Sequence, residues 1–152
     1  MSHTYIRLYF HLTFHTKSNT LIKKNDITAI HSYMSGVIKN MGLIPIAIGG
    51  VGDHIHAIIR LDKAIIDFAT VVRELKTASN SWLKQRDKAY TKFSWRRGYG
   101  LFSISYDKLD LAVEYVRNQD KHHVAKTARD EYLDFLRKMK IEFDERFAYS
   151  DD

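Results

Sequence analysis

The fold is decided by residues 43–60, which read LIPIAIGGVGDHIHAIIR. Leu43–Ile48 and His54–Arg60 are rich in β-branched and other apolar residues, which is typical of strands. A short segment of three glycines, Val51 and Asp53 connects them, and two strands joined so closely pair as an antiparallel hairpin. Pro45 indicates that the first strand lies at a sheet edge or starts late, because proline cannot donate a ladder hydrogen bond.

The segments around this hairpin alternate between strand and helix patterns. Strand patterns occur at Tyr5–Thr16 and Leu101–Ser105. Helical spacing of apolar residues occurs at Asp26–Asn40, Ile65–Lys84, Asp107–His122 and Thr127–Lys140. For the first of these helices, Asn25 is the expected N-cap and Gly42 the expected stop. The order β-α-β-β-α-β predicts an α+β fold. We expect a ferredoxin-like or RRM-like antiparallel sheet with helices on one face, plus C-terminal helices.

Length, charge and cysteine content narrow the class of protein. A chain of 152 residues predicts one domain, residues 1–152. Its 24 lysines and arginines exceed 18 acidic residues, and the net charge of +6 favours an anionic partner such as nucleic acid. The absence of cysteine excludes disulfides, zinc fingers and thiol nucleophiles. Neither a signal peptide nor a bilayer-length apolar run is recognisable, so we expect a soluble cytoplasmic protein.

The tripeptide His54-Ile-His56 is the first candidate for chemistry. Residues two apart on a strand point to the same face, with roughly 6.6 Å between their Cα atoms. Two imidazoles so placed can converge on one divalent cation, and Asp53 could orient one of them as a hydrogen-bond acceptor. The pattern also fits a chance pair of histidines on an exposed strand face.

Tyr115 and Gln119 are the second candidate pair. A spacing of four places them on one helical face, and His122 lies nearly one turn further along it. That face is offset from the apolar stripe of the same helix, so Tyr115 is not a central core residue. The usual interpretation of such spacing is a tyrosine that packs at a helix edge with a solvated hydroxyl, and that alternative stays open.

These residue types suit a metal-assisted attack on a phosphodiester. A phenol, with a pKa of about 10, is a poor nucleophile until it is deprotonated or its target is activated. A cation held by neutral imidazoles can polarise the phosphate, and the amide oxygen of Gln119 is a reasonable third ligand. A mixed nitrogen and oxygen set fits Mg²⁺ or Mn²⁺, although ligand type also admits zinc.

Residues 93–99, FSWRRGY, are a candidate DNA contact. Arg96 and Arg97 can neutralise phosphates, and Trp95 can stack on an unpaired base. The alternative is an ordinary loop in which the tryptophan is anchored in the core.

Together these segments resemble the HUH single-tyrosine transposases, the insertion-sequence-200-like group that includes the REP-associated tyrosine transposases. Gly52–His56 resembles the motif of two histidines around an apolar residue, and Tyr115–Gln119 resembles the nucleophile helix. Trp95–Ser103 is similar to the family's Trp-x-x-Gly-Tyr segment, and the stretches 119–123 and 131–144 resemble one branch's ending. Arg96 is a departure, since relatives often carry glutamine there, and it bears on DNA contacts rather than on chemistry.

The resemblance implies an activity and a site. His54, His56 and Gln119 would hold Mg²⁺ or Mn²⁺, and Tyr115 would form a 5′-phosphotyrosine and free a 3′-hydroxyl. Trp95, Arg96, Arg97 and His122 are possible DNA contacts. The partner would be single-stranded DNA with hairpin ends. Relatives are homodimers in which the tyrosine helix serves its own or the partner's histidines, and the sequence leaves that choice open.

Two other functions are compatible with parts of the sequence. A non-catalytic RRM-like nucleic-acid-binding module would explain the charge and the aromatic residues, but it gives no reason for His-x-His to accompany Tyr115 and Gln119. A metal-dependent hydrolase that uses water instead of tyrosine would form no covalent intermediate.

Overall fold

Four strands form one antiparallel sheet in the computed structural model, which describes residues 3–63, 67–122 and 126–151. The strands are β1 (Leu8–His15), β2 (Ile44–Val51), β3 (His54–Leu61) and β4 (Gly100–Ile104), in the spatial order β2-β3-β1-β4. Neighbouring strands pair antiparallel throughout. The predicted α+β class and the ferredoxin-like order are confirmed.

Helices cover both faces of this sheet. They are α1 (Ile27–Asn40), α2 (Phe68–Arg86), α3 (Leu109–Arg117), α4 (Gln119–His122) and α5 (Ala128–Lys138). The main core lies between the sheet and α1 and α2, whereas α3 and α5 pack on the opposite face in two smaller clusters. The C-terminal helices predicted from the sequence therefore form the second layer. None of the helices in the described ranges is long and apolar enough to cross a membrane.

Strand β3 contributes to both layers because its side chains alternate. Ile55, Ala57 and Ile59 belong to the main core, and Ile58 packs against Val116 of α3 on the other face. Residues two apart share a face, so His54 and His56 lie on the face covered by α3 and α5. The main core thus packs against one face of β3, while the histidines of this strand lie on the other face.

The glycine at position 49 brings α3 close to the sheet. A Cβ atom there would collide with the carbonyl oxygen of Val116, so a larger residue would push the helix away. Because Gly49 is paired with His56 in the sheet, this contact fixes the end of α3 beside the two histidines.

Several boundaries differ from the sequence-based predictions. Strand β2 continues to Val51, so that the hairpin turn is shorter than predicted. Asn25 lies in a 3₁₀ turn, and the N-cap of α1 is Asp26 instead. The helix predicted over 107–122 is interrupted at Asn118. The first two residues of the helix predicted over Ile65–Lys84 lie outside the described residues.

Two predictions about single residues agree with the structure. Strand β2 is an edge strand, with a register irregularity between Pro45 and Ala47 that accommodates the proline. Gly42 follows the end of α1 with a φ of +79°, a conformation that favours glycine and stops the helix.

Candidate active site

The histidines of β3 are completely enclosed. His54 and His56 are each 1% exposed, and their rings lie nearly perpendicular with centroids 4.9 Å apart. An ordinary pair on an open strand face would be solvated, so the exposed-pair alternative does not describe these residues. The Nε2 atoms of both rings face side chains from α4 and α5.

Gln119 reaches the site from the break between α3 and α4. Its Oε1 atom lies 2.8 Å from Nε2 of His54, and the side chain is 1% exposed. The helix is interrupted at Asn118, just before Gln119, so the predicted continuous helix is wrong at this point. Gln119 is thus in reach of one histidine, as expected from the sequence.

Glu131 on α5 completes the cluster and was not identified from the sequence. One carboxylate oxygen, Oε1, lies 2.7 Å from Nε2 of His56 and 3.7 Å from Nε2 of His54. The other oxygen, Oε2, accepts a hydrogen bond from the hydroxyl of Tyr115. The available signal was a carboxylate on the buried face of an amphipathic helix, between Ala128 and Leu133.

The donor set fits a divalent cation. One ligand atom each from His54, His56 and Glu131 lies within 4.8 Å of the others, and all three residues are buried. Burial raises the pKa of Glu131, but the hydrogen bond and charge of His56 outweigh it and lower the pKa to about 2. Two imidazole nitrogens beside a buried carboxylate form a set that hard and borderline divalent metals accept.

The second nitrogen of each histidine is held in place. Nδ1 of His54 lies 2.7 Å from Oδ1 of Asp53, in agreement with the predicted orienting role. Nδ1 of His56 lies 2.6 Å from Nε2 of His11 on β1. Partners of this kind set the tautomer and the ring angle of metal-binding histidines. Burial lowers the pKa of His11 to about 3, so that its ring is neutral at physiological pH.

Tyr115 on α3 lies directly beside these groups. Its ring is half-buried and its centroid is 5.8 Å from that of His56. Burial, followed by the hydrogen bond to the Glu131 carboxylate, raises the pKa of Tyr115 above its usual range. The phenol is therefore protonated in this arrangement, and an added positive charge would be needed to activate it.

The remaining sequence candidates are positioned differently. Trp95 is buried in the main core, where Nε1 donates to Ser79. Arg96 is 9% exposed; it donates to the carbonyl oxygens of Thr16 and Tyr149 and stacks on the Tyr149 ring. The prediction that these two residues contact DNA does not fit this arrangement, because both side chains are occupied by internal partners.

The other two predicted DNA contacts have different outcomes. Arg97 is exposed and remains available for a DNA contact. His122 ends α4, and its side chain lies outside the described part of the structure.

One face of the ferredoxin-like sheet thus brings a histidine pair and a tyrosine together around one buried carboxylate, a set of groups that suits metal-assisted chemistry at a phosphate. The family model for "Transposase IS200 like" matches residues 4–119. The chain belongs to this family of transposases, which are DNA-cleaving enzymes of recombination.

Solved structures agree with that assignment at the level of the fold. A candidate transposase from Deinococcus radiodurans R1 is 17% identical and has a TM-score of 0.58, with 78% of this chain and 95% of that chain covered. A REP-associated tyrosine transposase bound to a REP hairpin is 16% identical with a TM-score of 0.58, and the match covers 100% of this chain and 92% of that chain. No curated protein sequence matches the chain.

Proposed function

We propose that this transposase cuts and rejoins single-stranded DNA through Tyr115. The observation that carries the proposal is the hydrogen bond from the Tyr115 hydroxyl to Glu131, whose other oxygen contacts the histidine pair. This arrangement directs one phenol at a group of metal ligands. The enclosure of the pair by α3, α4 and α5 also argues against an RRM-like module, in which the sheet face is open to bases.

His54 and His56 are the proposed nitrogen ligands of Mg²⁺ or Mn²⁺, and Glu131 and Gln119 are the proposed oxygen donors. Glu131 Oε1 approaches both histidines, whereas Gln119 Oε1 approaches His54. When bound, the cation would supply positive charge that polarises the scissile phosphate and stabilises the phenolate.

The proposed reaction exchanges one phosphoester for another. The Tyr115 hydroxyl loses its proton and its oxygen attacks phosphorus, while the bond from phosphorus to the 3′-oxygen breaks. That oxygen takes up a proton and leaves as a 3′-hydroxyl, so the exchange neither consumes nor releases a proton overall. The 5′-phosphotyrosine conserves the ester bond, so a 3′-hydroxyl from another strand can reverse the step without ATP. Tyr115 begins this cycle as a neutral hydrogen-bond donor, and Glu131 orients its oxygen.

The DNA partner is proposed to be a hairpin with single-stranded flanks. The solved REP-associated relative is bound to a REP hairpin, and the net charge of +6 suits a nucleic-acid backbone. A homodimer is also part of this proposal, on the ground of the family resemblance.

Tyr115→Phe should abolish covalent attachment of DNA, because the ring is kept and only the attacking oxygen is removed. The substrate is a hairpin oligonucleotide with single-stranded flanks, taken from the DNA that borders the coding sequence and incubated with Mn²⁺. The adduct is measured on a denaturing gel. We expect a strong adduct band for the natural chain and loss of at least about a hundredfold for the variant.

Tyr33→Phe is the matched control, since Tyr33 lies on α1 and stacks on Trp82 on the other side of the sheet. It should leave the adduct unchanged. An adduct that survives in Tyr115→Phe would contradict the proposed nucleophile. Repeated DNA cleavage without any adduct would instead indicate a hydrolase that uses water.

A further inference from the structure

A large cavity lies between α3 and α5, against strand β4. Its volume is about 910 Å³, which is within the range of ligand-binding pockets. Apolar side chains form much of its lining: Phe102 and Ile104 on β4, Leu111 on α3, and Phe135 and Met139 on α5. None of these side chains takes part in the proposed reaction.

The cavity is continuous with the candidate active site. Tyr115 and Glu131 line it as well as belonging to the site. Phe135 forms the junction: its ring centroid lies 5.8 Å from that of Tyr115 and 5.0 Å from that of His11, and its ring stacks on Phe102 at 5.5 Å. A group bound in the cavity would therefore lie next to the atom that attacks the phosphate.

Cationic side chains accompany the apolar lining. Four lysines line the cavity, at positions 108, 121, 126 and 138, together with the acids Glu131 and Asp134. Lys126 forms an ion pair with Asp134, so the balance of the lining is positive. An apolar surface for a base with ammonium groups for phosphates is the combination that binds unpaired nucleotides.

Two residues at the cavity are unusually exposed for their type. Leu111 is 62% exposed and Met139 is 44% exposed. Neither side chain belongs to a buried cluster. Exposed apolar side chains that line one cavity together with lysines suit a binding surface rather than a contribution to the core.

We propose that this cavity binds the unpaired nucleotide next to the scissile phosphate. The base lies against Phe135, Leu111 and Met139, and lysines contact the neighbouring phosphates. A base in a duplex is paired at its edge and stacked between its neighbours, so only an unpaired base can enter between the two helices. The inference rests on the proposed function, because it takes Tyr115 as the residue that marks the position of the cut.

Abasic substitution tests this assignment. The hairpin oligonucleotide described above is prepared with one abasic site at a time along its single-stranded flank, and its affinity for the Tyr115→Phe chain is measured. We expect one abasic position next to the mapped cut to weaken binding by about 5- to 150-fold, the factor that corresponds to about 1–3 kcal/mol per stacked base. The penalty should shrink in a Tyr115→Phe chain that also carries Leu111→Ala and Met139→Ala.

Leu21→Ala is the matched control, because Leu21 is also 62% exposed and does not line the cavity. In the Tyr115→Phe background it should leave both the affinity and the abasic penalty unchanged. An abasic penalty that is equal in the cavity variant and in the control overturns the proposal, as does the absence of a sensitive position or of binding.

The two proposals fail in different measurements. The abasic profile is read from binding to a chain that lacks Tyr115, so a cavity-dependent sensitive position can be detected even when the natural chain forms no adduct. Loss of the adduct in the natural chain, with a cavity-dependent abasic profile intact, would reject the proposed chemistry and retain the binding site.

Discussion

The two ring nitrogens of His56 have different partners, and these partners determine which nitrogen can bind a cation. Nε2 faces Glu131 at 2.7 Å, and Nδ1 faces His11 at 2.6 Å. A ligand nitrogen must be unprotonated, so metal binding through Nε2 requires the proton of His56 to be on Nδ1. The neutral ring of His11 can accept a hydrogen bond from the protonated Nδ1 of His56 through its own Nε2 atom. His11 is thus a positioning residue for the site.

His11→Phe should weaken Mn²⁺ binding by about 10- to 100-fold, the usual effect of losing a partner behind a ligating histidine. An aromatic ring is retained, whereas the acceptor for His56 Nδ1 is lost. The measurement is calorimetric titration of the metal-free chain with Mn²⁺. His11→Gln provides the control: its amide oxygen offers an acceptor again, and it should recover part of the affinity.

Equal loss of affinity in the two His11 variants would contradict the positioning role and indicate only disturbed packing. Thermal unfolding of both variants without metal separates that outcome from general destabilisation.

Short-range patterns explain which site residues were predictable from the sequence. His54 and His56 are two apart on a strand, and Tyr115 and Gln119 are four apart on a helical segment, so local geometry groups each pair. The contacts of His56 with His11 and Glu131 span 45 and 75 positions. Such contacts depend on strand pairing and on the position of α5, which no local pattern specifies.

One carboxylate connects the start of helix α1 with the end of helix α2. Asp26, at the start of α1, accepts hydrogen bonds from Arg86, the last residue of α2, and from the hydroxyl of Tyr90. The hydroxyl of Tyr90 in turn accepts from the backbone of Lys23. The hydrogen bond from Tyr90 and then that from Arg86 lower the pKa of Asp26. These hydrogen bonds connect the start of α1 with the end of α2.

Asp26→Asn should destabilise the chain by about 1–2 kcal/mol at neutral pH, because hydrogen bonds to a charged group are lost. A folded pKa below the unfolded value of about 3.9 gives stability that is present above that value and lost as the pH falls through the folded pKa. The difference between the natural chain and the variant, measured by urea unfolding, should therefore be largest above pH 5 and shrink toward pH 2.

Glu142→Gln is the control, since Glu142 is exposed near the C-terminus, and it should change stability little at any pH. A difference for Asp26→Asn that is independent of pH would show that the ionised carboxylate is not the stabilising form.

The elements themselves were predictable to within a few residues because each has a periodic apolar pattern. The exceptions have physical reasons. Asn118 interrupts a helix whose apolar pattern continues through it, and Gln119, the next residue, contacts His54. Trp95 and Arg96 look like a binding loop in sequence, yet their partners Ser79 and Tyr149 lie 16 and 53 positions away.

The two faces of the sheet carry different parts of the molecule, namely the main core on one face and the proposed site on the other. One face is covered by α1 and α2 over the main core. The other carries the histidines of β3, which are enclosed by residues from α3, α4 and α5. The hydroxyl of Tyr115 contacts Glu131 of the same chain. We therefore predict that Tyr115 acts with the histidines of its own chain.

Mixing two inactive chains distinguishes use of the tyrosine within one chain from use across a dimer. Tyr115→Phe keeps the metal ligands and lacks the nucleophile, whereas His56→Ala keeps the nucleophile and lacks a ligand. The two are co-expressed with tags of different size, so that a DNA adduct on a denaturing gel reports which chain reacted. If each tyrosine serves its own chain's site, no mixed species has a complete site, and neither chain should become labelled. Labelling of the His56→Ala chain would mean that its tyrosine reaches the partner's histidines, and that α3 leaves the position it has beside Glu131 when two chains assemble on DNA.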